Sequence, residues 1–309
     1  PSRERLLLTV PIDHLAANTA PGRGETKAET VAGHLSPEPA PLASTHNPAL
    51  TPELIKWKLS LEQVAALLVA ERAKGYDGVT FSGGEVTLLK ELPAMLRLAR
   101  KAGYADAGII TNGLLAADPA YAQELLTSGL TFVCVSIHGA DAALHDKMVE
   151  VPGAFEKAIK ALENLKGIPR VLNFVLTAEN MTALPEFVRR FAADDSFVEI
   201  QAYLPHYEGL MADNQARLRL KIADAKPVLA AAVAEAERLG AGEKLKIYNV
   251  PPCALPEHRG RLRNWAKEEG ESLLVDPAGM REGSFAQERR GRVKPAACAR
   301  CLLNDECLG

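Results

Sequence analysis

The run VTFSGGEVTLL ends an apolar stretch on Gly83 and Gly84 and places a single carboxylate, Glu85, directly behind them. Glycines let backbone amides approach a ligand closely, and a carboxylate accepts hydrogen bonds from an ammonium group. Similar polar punctuation recurs downstream. Thr111-Asn112-Gly113 closes DAGIIT, Ser136-Ile137-His138-Gly139 closes an apolar run, Asn173 lies in RVLNFVL, and Gln201 lies in FVEIQAY. Any one of these loops reads equally well as an ordinary turn. His138 and His145 are of the type that exchanges protons near neutral pH, although His145, before Asp146, also fits a helix start.

Thiols form the second constellation. The chain has five cysteines. Cys134 alternates within an apolar run and is expected in the core. Cys253 follows a short apolar run, and KPAACARCLLNDECLG places Cys298, Cys301 and Cys307 close together. Four thiolates match the count of a structural zinc site or an iron–sulfur cluster, and the spacing leaves the two metals comparable.

The elements that must position these groups follow from hydrophobic period. RLLLTV, DGVTF, DAGIIT, TFVCVSI, RVLNFVL and FVEIQAY are short β-rich runs, with helical patterns near 61–74, 88–101, 119–128, 153–166 and 184–193 between them. Strands alternating with helices predict βα units of a parallel sheet, here about six of them, as an open sheet or incomplete barrel. In such a sheet ligands sit at the carboxyl ends of the strands. The polar residues above are therefore predicted to converge on one mouth, with Glu199, Tyr203 and His206 as further candidates. An Ala-rich helix over 222–239 and a seventh strand in LKIYNV follow. Residues 20–52 read as a long Pro/Ala-rich loop, and 259–294 as irregular structure needing a staple. The expected division is a barrel over 1–240 and a cysteine-containing extension over 241–309.

Composition narrows the class. With 309 residues, 47% hydrophobic, the chain can bury one large core. A formal net charge of −3 from 36 basic and 39 acidic residues makes nucleic acid an unexpected partner. No apolar run is long enough for a membrane span and PSRERLLLTV lacks a secretory pattern, so a cytoplasmic location is expected. Neither a P-loop lysine nor dinucleotide-binding spacing accompanies the glycines.

Taken together, FSGGEVTLL, IITNG, VSIHG with His145-Asp146 and Gly153-Ala154-Phe155, and a strand bearing Asn173 resemble the radical S-adenosylmethionine superfamily over most of the chain. The resemblance implies a partial (β/α)6 TIM-like barrel, a methionyl-ammonium site at Gly83-Gly84-Glu85, carboxylate or ribose contacts from Ser136 and Asn173, and adenine near Gln201. It also implies a CxxxCxxC motif after the first strand, which holds the [4Fe–4S] cluster that cleaves the cofactor. Here that segment reads TVPIDHLAANTA, and Ile12, Ala16 and Thr19 stand at the cysteine positions. None of them can supply a thiolate. The nearby His14, His34 and His46 match no cluster spacing. Members with a C-terminal auxiliary cluster tilt the metal of Cys253, Cys298, Cys301 and Cys307 toward [4Fe–4S], with zinc as the alternative. The expectation is a fold that has lost its S-adenosylmethionine-cleaving cluster and serves as a binding or accessory subunit in peptide or cofactor maturation, with a protein or peptide partner. The alternative is an enzyme that still uses S-adenosylmethionine or the C-terminal cluster.

Overall fold

The computed structural model describes residues 5–9, 59–207, 210–263, 273–275, 281–283 and 292–309, as backbone alone at 5–9, 210, 273–275 and 281–283. The expected 20–52 loop and the Ile12, Ala16 and Thr19 positions lie outside these residues. Seven strands succeed one another in space as in sequence: β1 Arg5–Thr9, β2 Gly78–Ser82, β3 Asp106–Thr111, β4 Phe132–Ser136, β5 Arg170–Val175, β6 Phe197–Tyr203 and β7 Leu245–Tyr248. Every neighbouring pair is parallel. Helices make the crossovers: α1 Leu61–Arg72, α2 Leu92–Lys101, α3 Pro119–Thr127, α4 Ala142–Val149, α5 Ala154–Asn164, α6 Leu184–Phe191 and α7 Ile222–Arg238. This is the expected α/β partial barrel.

The 259–294 expectation needs correction. Three very short strands extend the sheet from within it: β8 Leu262–Arg263 beside β7, β9 Leu273–Val275 parallel to β1, and β10 Arg281–Gly283 antiparallel to β9. Strands of two or three residues carry no readable alternation, so the period argument missed them. The same sheet thus runs across residue 240 in both directions.

Side-chain alternation gives the sheet two different faces. Val79, Phe81, Ile109, Val135, Leu172 and Phe174 are fully buried in the core that the helices cover. Their neighbours in sequence point the other way, into the lumen; most are half-buried, and Ser82, Ser136 and Asn173 are polar among them. Local sequence starts the helices cleanly. Ser60 and Gln63 form a reciprocal capping box on α1, and Asp118 and Asp141 accept amide hydrogen bonds at the starts of α3 and α4.

Candidate functional site at the strand ends

Gly83 turns the chain out of β2 at φ 123°, in the region that favours glycine. Glu85 follows, 4% exposed, and caps a short 3-10 turn over Val86–Leu88. Its Oε1 accepts from the Thr87 amide at 3.0 Å, the Thr87 hydroxyl at 2.5 Å and the Thr111 hydroxyl at 2.6 Å, and its Oε2 accepts from the Asn112 amide at 2.7 Å. The carboxylate therefore ties the end of β2 to the end of β3. Three donors fill Oε1, which leaves Oε2, with a single donor, as the oxygen able to take a further hydrogen bond.

The remaining predicted residues fall on the lumen face in register. Ser136 pairs with Asn173, Asn173 with Gln201, and Gln201 with Lys246, giving one row across β4 to β7. Asn112 follows directly on β3, and its Oδ1 accepts the Leu114 amide at 2.9 Å. Glu199 and Tyr203 lie on the same face as Gln201, two residues to either side. Glu199 Oε1 accepts from Gln201 Nε2 at 2.7 Å and from the Tyr248 hydroxyl at 2.8 Å. Tyr203 and Tyr248 are register partners whose rings stack with centroids 5.2 Å apart. Tyr248 is a functional candidate that sequence reasoning overlooked; its alternation within LKIYNV was the available signal. His206 stands past the end of β6, with Nε2 at 3.2 Å from Asn249 Nδ2.

Cys134 is buried as expected, 6% exposed, but on the lumen side of the sheet and not in the helix-covered cluster. It shares the lumen face with Ser136 and pairs with Val171, the register partner of Glu199. Burial first, and the Glu199 charge second, push its thiol up to about 12. It is a neutral thiol on the lumen wall.

The histidine motif has a different role from a helix start. His145 lies inside α4, 2% exposed, and its Nδ1 accepts the His138 amide at 2.9 Å. His138 Nδ1 in turn accepts the Val175 amide at 3.3 Å. Both rings are thereby fixed as neutral imidazoles with the proton on Nε2. Burial lowers them, His138 to about 3 and His145 to about 4. Gly139 permits the close packing, since a Cβ there would lie 2.5 Å from the His145 nitrogen. Asp146 reaches out of α4 to accept the Gly153 and Phe155 amides at 2.5 and 2.8 Å, capping α5. Asn112, Ser136, His138 and His145 border a recess of about 50 Å³, large enough for a water molecule.

The C-terminal cysteines fall at three places in the fold. Cys253 lies in a 3-10 turn, Pro252–Ala254, soon after β7; Cys298 lies in another, Ala296–Arg300, with Cys301 at its end; Cys307 lies near the chain's last residue. Cys253 and Cys301 are exposed, Cys298 and Cys307 half-buried. The Leu303 and Gly309 amides point at the Cys301 and Cys307 sulfurs at 3.4 Å each. Arg259–Glu306 at 3.5 Å and Arg292–Asn249 at 2.8 Å hold this segment to the β7 edge. Among the described residues no three His, Cys, Asp or Glu side chains are grouped to hold a metal. The chemistry of the donors suits zinc or iron, but the structure does not bring the four thiols together.

An open barrel of parallel strands, with a Gly-Gly-Glu turn and a row of polar groups at the strand ends, defines an α/β protein of the class whose ligands sit at the barrel mouth. Residues 46–191, just under half of the chain, match the family model described as the Radical SAM superfamily. Relatives include a probable GTP 3',8-cyclase of Saccharolobus islandicus, 35% identical over 135 residues, 42% of each chain. A second is an Fe-coproporphyrin III synthase of Methanosarcina barkeri, 36% identical over 130 residues, 41% of this chain and 32% of the relative. The chain thus matches less than half the length of these relatives. Among solved structures, Streptococcus suis SuiB bound to precursor peptide SuiA aligns over 100% of this chain and 72% of its own, with a TM-score of 0.65 at 14% identity. AnSMEcpe with bound AdoMet and Kp18Cys peptide aligns over 99% of this chain and 88% of its own, with a TM-score of 0.59 at 16% identity. These likenesses are of fold.

The family implies a [4Fe–4S] cluster and S-adenosylmethionine. Donor chemistry decides the fit of the first: residues 10–58, which follow β1, contain no cysteine. The thiolates that hold such a cluster are lacking there. No described helix is long and apolar enough to cross a membrane.

Proposed function

We propose that this chain is a radical SAM-fold protein without the cofactor-cleaving cluster, which uses the barrel mouth to bind S-adenosylmethionine or a peptide as an accessory subunit in peptide or cofactor maturation. The observation that carries this reading is the pairing of a Glu85 carboxylate held in place by protein donors with a post-β1 segment lacking thiolates. In this reading Glu85 Oε2 takes the ligand's ammonium group. Ser136 and Asn173 face its carboxylate or ribose hydroxyls, and Gln201 lies toward adenine. Gly83 and Gly84 let the turn approach the ligand. Peptides and AdoMet in the neighbouring structures support both ligand classes. Cys253, Cys298, Cys301 and Cys307 are the proposed ligands of a separate zinc or iron–sulfur centre, which would draw their turns together as it binds.

Calorimetry with S-adenosylmethionine, paired with an assay for 5'-deoxyadenosine under strong reductant, tests the proposal. Binding that weakens at least tenfold in Glu85→Gln, with no 5'-deoxyadenosine formed, is the expected result. Release of 5'-deoxyadenosine would overturn it. A second reading, an enzyme using intact S-adenosylmethionine in polar chemistry, predicts the same binding and is separated by turnover of the bound cofactor.

A further inference from the structure

The lumen deeper than the Ser136–Asn173–Gln201 row is rich in acceptors. Glu199 is half-buried on β6, and both local donors, Gln201 Nε2 and the Tyr248 hydroxyl, converge on Oε1. Among the described residues, nothing donates to Oε2 and no cationic side chain pairs with the carboxylate. Lys246, next in the polar row, is committed to Glu243 at 3.3 Å. One diagonal step away on β5, Asn173 Oδ1 is buried from solvent with no donor. An amide oxygen left this way is costly unless a ligand satisfies it. On the mouth side of the Gln201–Lys246 row the Tyr203 and Tyr248 rings stack 12° from parallel, and the Tyr248 hydroxyl reaches past the row to the carboxylate; Arg263, the register partner of Tyr248, is committed to the Gly260 and Leu262 carbonyls. The Glu199 charge is felt around it: after burial, it is the next cause that raises the Tyr248 phenol and the Cys134 thiol.

A carboxylate oxygen and an amide oxygen that no donor among the described residues satisfies, with a stacked aromatic pair on the mouth side, describe a receptor for a flat cation with several N–H groups. We propose that the lumen binds a guanidinium group, with one N–H pair on Glu199 Oε2, another N–H on Asn173 Oδ1, and the plane of the cation against the Tyr203–Tyr248 stack. Guanidinium suits the site better than ammonium because its fork presents donors in two directions from one plane. An arginine side chain of a peptide is the source to which the proposal commits. It rests on the reading of the lumen as a ligand site and names the class of ligand that site takes. Tyr248 and Gln201 are positioning residues, since they hold the carboxylate through Oε1.

The test titrates the protein with N-acetyl-arginine amide and with its neutral isostere N-acetyl-citrulline amide, followed by calorimetry and by tyrosine signals in NMR. The arginine probe should bind with a dissociation constant on the order of 1 mM, and citrulline at least tenfold more weakly. Glu199→Gln should lose at least tenfold for arginine. Asn173→Asp, which adds a second charge, should gain a similar factor and keeps the test open if Glu199→Gln fails to fold. Equal binding of the two probes, an affinity unchanged in either variant, or no arginine binding up to about 50 mM would refute the site. Displacement of the probe by S-adenosylmethionine would make that sulfonium the cation bound and overturn the peptide assignment. Loss of arginine binding alone, with S-adenosylmethionine binding intact, leaves the strand-end reading standing.

Discussion

At the end of β2, the Glu85 carboxylate is held by the Thr87 amide and hydroxyl, the Thr111 hydroxyl and the Asn112 amide, all within 3.0 Å. Beyond β7, four thiols are spread over three places, Cys298 and Cys301 sharing one turn; two are exposed, and they are not grouped for a metal. Both regions carry the residue types of a cofactor site, but only one is assembled by the protein itself. The difference is physical. A buried carboxylate must be satisfied by protein donors to be tolerated at all, so its site is organised by folding. Surface thiols have no such demand and need a metal to bring them together.

The comparison predicts unequal costs of substitution. Glu85→Ala leaves the Thr87 and Asn112 amides and the Thr111 hydroxyl without acceptors in a buried setting, and should cost about 3–5 kcal/mol in urea denaturation. A loss below 1 kcal/mol would show that the strand-end site is not built around this carboxylate.

Acid should loosen the same region next. Unfolded, His138 and His145 protonate near 6.5; folded, His138 does so at about 3 and His145 at about 4. Between those values the unfolded chain binds more protons. Stability is therefore full above about pH 6.5 and declines as pH falls toward 4, on the order of 1.4 kcal/mol per unit for a fully effective group. His145, 2% exposed, carries the larger share, because half-buried His138 has partial access to water. Protonation of His145 at Nδ1 also removes the acceptor for the His138 amide, so the β4 end should open first. A protection factor of the His138 amide that is independent of pH over this range would contradict the assignment.

Asp146→Ala removes the acceptor of the Gly153 and Phe155 amides and should cost about 1–2 kcal/mol, read as lost protection at the start of α5. The smallest effect belongs to the tail. In metal-free protein, Cys298→Ser with Cys301→Ser should shift stability by no more than about 0.5 kcal/mol, since the site is not yet formed. A large loss without metal would mean that these thiols already act structurally.

Much of this molecule is legible in its sequence because the demands on each residue are local. Runs such as DAGIIT and FVEIQAY are β-rich and separated by helices, and they emerge as β3 and β6 in the expected order. Gly83-Gly84-Glu85 announces a strand-end turn. Other features depend on partners distant in sequence. Asp146 caps a helix seven and nine residues further on, and Cys134 looks apolar until its register partner places it beside Glu199 on the lumen. α4, AALHDKMV, has too short an apolar stripe to be seen by period. The row from Ser136 to Lys246 needs the register of four strands, which no single run encodes.

The central claim is that the barrel mouth has kept its ligand pocket without the thiolates that would make it a radical centre. The most direct measurement is iron and sulfide content after anaerobic reconstitution of the Cys298→Ser, Cys301→Ser variant, in which the C-terminal ligand set is disabled. The account predicts a colourless protein with no stoichiometric iron or sulfide. A full [4Fe–4S] complement retained in that variant would place a cluster at the barrel and contradict it.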